Sequence, residues 1–399
     1  MRKFITGAII VPLMCLTICA RDFDLNGISA LNISGSGDNT NIQPPRVLAL
    51  NNINDAYDFP VKPGTAEWKA LNIQERLKVC QIPEPLLKKI STAGLIGTVL
   101  NYPFYWANIL TANSGLQQAF SDMAAYFNGI QELLARKDAG SELLLKYRSI
   151  PPPKKEATDM EIGDYLFYCY SFEILFAQDV IRAGLTEAQL KAMKKELLAK
   201  YETRRELNEA GGLSKEIMKV NNVLPQENLP KESATTVYTP KGSTVPARQM
   251  DPKTDEYGEK EMLKCNQLID VAWLGPLAKR ESNCSLLYNC HSYTWHYQSI
   301  SNMIRIYKPN QQQYWLDGSY SPWLGPTVES GMKLDYFSDD HSAIFVSGQD
   351  PTADPAMAIC RSKWGYDGPV MWHNCAYTPP IYNPGGGIHA YTLPQPAGN

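Results

Sequence analysis

Histidine is scarce in this chain, with five in 399 residues. The sequence also contains no C-x-x-C pair, no H-E-x-x-H run, no Walker loop, no G-x-G-x-x-G fingerprint and no G-x-S-x-G elbow. Little is therefore left from which to build a zinc centre, a nucleotide pocket or a serine hydrolase, and neither a metal nor a cofactor is expected. Cys284, Cys290, His291 and His296 lie close together, but their spacing is not that of a metal site. Charge of one sign is missing too. The formal net charge is -3, the pI is near 6.0, and no run of five basic residues occurs, which argues against nucleic acid as a partner. Beyond the N-terminus no apolar run is long enough to cross a bilayer.

The N-terminus itself reads differently. "MRKFITGAIIVPLMCLTICA" has two cations, a short apolar stretch and a small residue at Ala20, the order of an export signal over residues 1–20. The protein is expected in the periplasm, the cell envelope or the medium. "LTIC" at Cys19 faintly resembles a lipoprotein box, although Ile18 stands where a small residue is usual. Membrane attachment is expected only if Cys19 is lipidated.

Export gives the cysteines meaning, because the compartments beyond the membrane are oxidising. Of nine cysteines, Cys15 and Cys19 fall in the signal, so seven remain: Cys80, Cys169, Cys265, Cys284, Cys290, Cys360 and Cys375. An odd number leaves at least one thiol unpaired within the chain. A free thiol is often inert and buried, and it is also what a cysteine hydrolase keeps.

Composition divides the chain further. Residues 21–65 form a polar leader rich in Gly, Ser, Asn and Asp. Residues 66–222 carry apolar positions at three- and four-residue spacing, such as Leu116, Phe120, Met123, Phe127 and Ile130, and read as an all-helical module. Asn128-Gly129 and Asp138-Ala139-Gly140 mark breaks, Gly184 a C-cap, and Thr186 with Gln189 a capping box. Residues 223–260, rich in Pro, Thr, Ser and Lys, read as an extended linker. Residues 261–399 are aromatic and broken into short segments, as an α+β domain with a small antiparallel sheet would be.

Three stretches of that last part carry candidate chemistry: "NCHSYTW" at 289–295, "DDHSAIFV" at 339–346 and "ICRSKWG" at 359–365. Asn289 can cap a helix that opens with Cys290, and a helix N-terminus lowers the pKa of a thiol. His341 enters a strand, and Ser362 sits on its expected neighbour. Cysteine, then histidine, then a polar residue on the next strand is the order of papain-like hydrolases, in which the imidazole takes the thiol proton and returns it to the leaving amine.

On "NCHSYTW", "YWLDGSY", "HSAIFV" and "SKWG", residues 283–373 resemble the C-terminal module of a group of poorly characterised exported bacterial proteins. That module is similar to papain-fold cell-wall endopeptidases and to the cysteine, histidine-dependent amidohydrolase/peptidase group. The segment beginning "YPFYWANIL" is similar to a helical region found upstream in some of them. The resemblance implies Cys290 as nucleophile and His341 as base. Ser362 stands where such proteins place the residue that orients the histidine. Papain's glutamine, six residues before the cysteine, corresponds here to Cys284, so Asn283, Asn289 or the Cys290 N–H would have to face the oxyanion.

Plainer readings stand beside these. Cys290 can be half of a disulfide with Cys284 or Cys265, and His341 a strand-end histidine bonded to a carbonyl. His291 reads as structural or substrate-facing, and His296 as surface or core. His373 and His389 are expected in loops without chemistry. Trp364 reads as core, Gly365 as a turn, Lys363 as solvated, and "DGSY" at 317–320 as a turn. Cys360 and Cys375 are expected to close their loop by a disulfide, worth about 3 kcal/mol. The expectation is an exported cysteine amidase or peptidase acting on peptidoglycan peptides, or on another peptide or amide, through a Cys290 thioester. The alternative is a non-catalytic envelope binding or scaffold protein of the same fold.

Overall fold

The computed structural model describes residues 55–111, 115–209, 212–223, 232–251, 259–337, 340–379 and 387–393. The expected signal, the leader up to residue 54 and Cys19 lie outside the described residues.

The helical pattern from residue 66 onward folds as a succession of short helices ended by the expected punctuation. Helices Leu116–Tyr126, Asn128–Ala135 and Ala139–Arg148 break at the two Asn/Asp–Gly sites. The long apolar helix Asp159–Phe176 opens on a capping box of Thr158 and Glu161, and Glu187–Glu206 opens on one of Thr186 and Gln189. Each box satisfies two N–H groups that the first helical turn leaves unpaired. Among the described residues no helix is long and apolar enough to cross a membrane.

Among the described residues ten strands follow: β1 (Ser233–Tyr238), β2 (Thr244–Gln249), β3 (Ala278–Arg280), β4 (Ile304–Arg305), β5 (Ser321–Pro322), β6 (Lys333–Tyr336), β7 (Ser342–Gly348), β8 (Ala358–Lys363), β9 (Val370–Asn374) and β10 (Ile388–Thr392). They form a three-stranded sheet in the order β1-β2-β4 and a seven-stranded sheet in the order β3-β9-β8-β7-β6-β10-β5. Their pairings are antiparallel, so the architecture is α+β.

Two boundaries differ from the composition-based division. Within 223–260, expected as a linker, β1 and β2 pair over six residues and β2 pairs with β4. Only alternate positions face inward, Val237 and Val245 packing with Trp295 and Ile306, so the hairpin's overall composition stays polar. The boundary at 260/261 is also bridged by one core. Trp273, at the end of helix Glu259–Trp273, packs against Phe104 of the helical half and against Trp364 and Tyr377 of the sheet half, with ring centroids 5.5, 5.2 and 5.5 Å away. Arg76, buried, donates to the carbonyls of Trp68 and Ala272 at 3.0 Å each and bonds the hydroxyl of Tyr377.

Candidate thiol and histidine sites

Cys290 opens a short helical segment ending at His296, whose Ser292–His296 part is π-helical. Asn289 holds that turn in place. Its side-chain oxygen accepts from the N–H groups of Ser292 and Ile306, both at 3.2 Å, and its amide donates to the Ile306 carbonyl at 2.7 Å. The capping role expected for Asn289 is present, and the bond to Ile306 turns its amide away from an oxyanion role. Asn283 instead bonds Asn266 and Arg280, each at 3.2 Å. Cys265 and Cys284 form a disulfide with each other, which leaves Cys290 a free thiol.

That thiol is fully buried. Its hydrogen bond runs to the carbonyl of Asp340 at 3.9 Å. Burial pushes the thiol up to about 12, against the pull of the Ser342 and His291 N–H groups and of Lys363. The lowered pKa expected from a helix N-terminus is thus reversed, because a segment this short has a weak dipole and the desolvation of a sulfur anion outweighs it.

The pleat of β7 explains the separation. Successive strand residues face opposite ways. Ser342 and Ile344 face the Cys290 turn: the Ser342 hydroxyl oxygen lies 2.8 Å from His291 Nδ1 and 2.9 Å from Trp295 Nε1, and Ile344 packs with Tyr288, Tyr293 and Val370. Ser342 also donates to Asp335 at 3.0 Å, so in this arrangement His291 Nδ1 is the donor to the Ser342 oxygen. His341, one residue earlier, turns its ring to the opposite face. It lies 4.9 Å from the Tyr336 ring, and its Nε2 is 3.0 Å from the hydroxyl of Ser362. Burial first, then the neighbouring His373 and His291, push its pKa well below the usual imidazole value. His341 and Ser362 are therefore brought together, and Cys290 is held on the other side of the strand.

A second cluster occupies the His341 face. His373, expected in a loop, lies on β9 and is fully buried. Its Nε2 is 2.8 Å from the Ser362 hydroxyl, so one serine bridges two imidazoles, and its Nδ1–H donates to the Asn374 carbonyl at 2.9 Å. Cys360 Sγ lies 3.8 and 3.7 Å from the two nitrogens of His373 and 3.7 Å from the hydroxyl of Tyr336. Cys375 lies in the same buried cluster as Cys360, but both are free cysteines and not the expected disulfide. The signal for this cluster was in the sequence as alternation: Cys360 and Ser362 on one strand and His373 on the next share a face once β8 and β9 pair with Cys360 opposite His373. That register, set by tertiary pairing, could not be read from the residues alone.

Other expected residues also find their places. Trp364 is core and Gly365 a turn at φ +62. Lys363, expected to be solvated, is buried with its ammonium on the carbonyls of Gly365 and Tyr366 at 3.1 and 3.0 Å and over the Tyr288 ring. His296 and His389 are exposed, the latter on β10. Among the described residues no group of three or more His, Cys, Asp or Glu side chains is disposed to hold a metal ion. In comparison with known proteins, no family model, no curated protein and no solved structure matches the chain.

Proposed function

We propose that this is an exported, non-catalytic cell-envelope protein that uses a papain-like arrangement of strands and cysteine turn as a binding or scaffold module. One observation carries the reading: the Cys290 thiol is buried and hydrogen-bonded to a carbonyl, while Ser362 holds the His341 ring on the opposite face of the sheet from Ser342 and the cysteine turn. Thioester chemistry needs the thiol within reach of the base that takes its proton. Support for binding comes from the seam between the helical half and helix Glu259–Trp273, whose Lys264, Leu268, Val271 and Ala272 also line it. An open cavity of about 490 Å³ is walled there by Tyr57, Phe59, Tyr102, Trp106, Phe167 and Tyr168, a size and an aromatic lining common in ligand sites.

The test incubates the full chain and its Cys290→Ala variant with muropeptides and with intact sacculi. Neither protein is expected to cleave, both are expected to co-sediment with sacculi equally, and Cys290 is expected to resist alkylation at pH 6. Cleavage by the parent that disappears in the variant overturns the reading.

That outcome would install the second reading, a cysteine amidohydrolase on cell-wall peptides. One observation favours it: Cys290 is unbonded to any other cysteine and lies against the backbone beside His341, whose ring Ser362 already holds. It requires the His341 ring to swing around the entry of β7.

A further inference from the structure

We propose that Cys360 and Cys375 are a thiol–disulfide exchange centre, closing to a disulfide against a small-molecule disulfide and thereby setting the proton arrangement of His373, Ser362 and His341. The inference is independent of the binding reading above.

The geometry comes first. Cys360 lies on β8 and Cys375 directly follows β9, where its N–H donates to the Ala358 carbonyl at 2.9 Å. The two side chains share one buried apolar cluster with Tyr336. The Tyr336 hydroxyl clamps both, donating to the Cys375 carbonyl at 2.9 Å and lying 3.7 Å from Cys360 Sγ. Among the described residues, the other free cysteines, Cys80, Cys169 and Cys290, share no cluster with a second free cysteine in this way, and burial raises the pKa of each.

The chemistry follows from the asymmetry of the pair. Burial opposes a thiolate at Cys360, but the neighbouring Cys375 and His373 outweigh it and lower its pKa, while burial raises that of Cys375. Cys360 is thus the attacking thiolate and Cys375 the resolving thiol. Cys360 Sγ displaces one thiolate from the external disulfide and forms a mixed disulfide. Cys375 then loses its proton and attacks Cys360 Sγ, forming the internal bond and expelling the second thiolate. The Cys360 thiolate and the Cys375 thiol are oxidised to one disulfide and the external disulfide is reduced to two thiols, which take up the Cys375 proton and the proton that His373 gives up. Because both sulfurs are buried, exchange takes place before the strands close or through local opening.

Closing the bond changes the histidines. Beside the Cys360 thiolate His373 is held towards the cation. Its Nε2–H then donates to Ser362, whose hydroxyl donates to His341 Nε2, placing the His341 proton on Nδ1. Once the thiolate is gone His373 is neutral with its proton on Nδ1, bonded to Asn374. Its Nε2 now accepts from Ser362, whose oxygen accepts from a proton on His341 Nε2. The redox state of two cysteines is written into the tautomer of a third residue.

To test this, the reduced full chain is refolded in glutathione buffers from reducing to oxidising, acid-quenched, denatured, alkylated and mapped by peptide mass. The Cys360 and Cys375 peptides are expected to become cross-linked, with the loss of two hydrogens, while Cys80, Cys169 and Cys290 remain alkylated. In Cys375→Ser, Cys360 is expected to stop as a mixed disulfide with glutathione. If Cys360 and Cys375 stay alkylated across the range in which Cys265–Cys284 is bonded, the centre does not exist. Imidazole ¹⁵N spectra of the parent report the relay: the His341 proton is expected to move from Nδ1 to Nε2 on oxidation, and an unchanged tautomer overturns it.

Discussion

At Gly365 the backbone takes φ +62, and a Cβ placed there would lie 2.3 Å from the carbonyl carbon of Thr111. Positive φ and a backbone neighbour each disfavour a side chain, and neither obstacle can rotate away. Gly365→Ala is expected to cost at least about 2 kcal/mol in urea unfolding; a loss within experimental error would count against this geometry. Glu261 makes a different kind of residue-level statement. It is buried, accepting from the Tyr170 hydroxyl and the Leu213 N–H at 3.1 Å each, and burial, with Asp367 and Glu209 nearby, pushes its carboxyl up to about 8. Between its ordinary 4.5 and 8 the folded chain holds a proton that the unfolded chain has lost, so stability falls as pH rises through that window. Glu261→Gln keeps the neutral form and is expected to flatten the decline in unfolding free energy from pH 4.5 to 8. A decline of unchanged steepness would assign it to other groups. The cap at Asn289 was legible from residue type and position. The side of β7 on which His341 would fall was not, since alternation says which residues share a face but not which face the cysteine turn will cover.

Elements tell a similar story about what local signals can carry. Capping boxes are written in four consecutive residues, and the one at Thr186 and Gln189 was readable because its physics is contained in that window. Thr186→Ala is expected to lower stability by about 1 kcal/mol, seen as a shift in the urea midpoint without a change of slope. The β1–β2 hairpin was hidden because its inward residues are few and its burial depends on Trp295 and Ile306, more than forty positions downstream of β2. Between helices, Arg204 of Glu187–Glu206 meets Glu173 of Asp159–Phe176 at 2.8 Å with both side chains fully buried. Arg204→Met leaves a carboxylate without its counter-charge and is expected to cost about 3–5 kcal/mol. Adding Glu173→Gln should recover much of that loss; additive losses in the double variant would show that the two do not act as a pair.

Across the whole molecule, composition placed a boundary where packing places none. Sequence statistics describe neighbours along the chain, whereas the core that joins Trp68 and Phe104 to Trp273, Trp364 and Tyr377 is a matter of distant partners. Residues 261–399 produced alone would expose the face of Trp273 that Phe104 covers, and are expected to show no cooperative thermal transition and little near-ultraviolet dichroism. A sharp transition from that fragment would restore the boundary.

The guanidinium of Arg76 reaches residues 272 and 377 at once. A nascent chain therefore leaves the ribosome with that cation waiting for some three hundred residues of later synthesis before its tyrosine partner is made. A chain stopped short of residue 377 would have to bury the same guanidinium with one acceptor fewer, so the anchoring of the earliest helices is completed from the far end of the polypeptide.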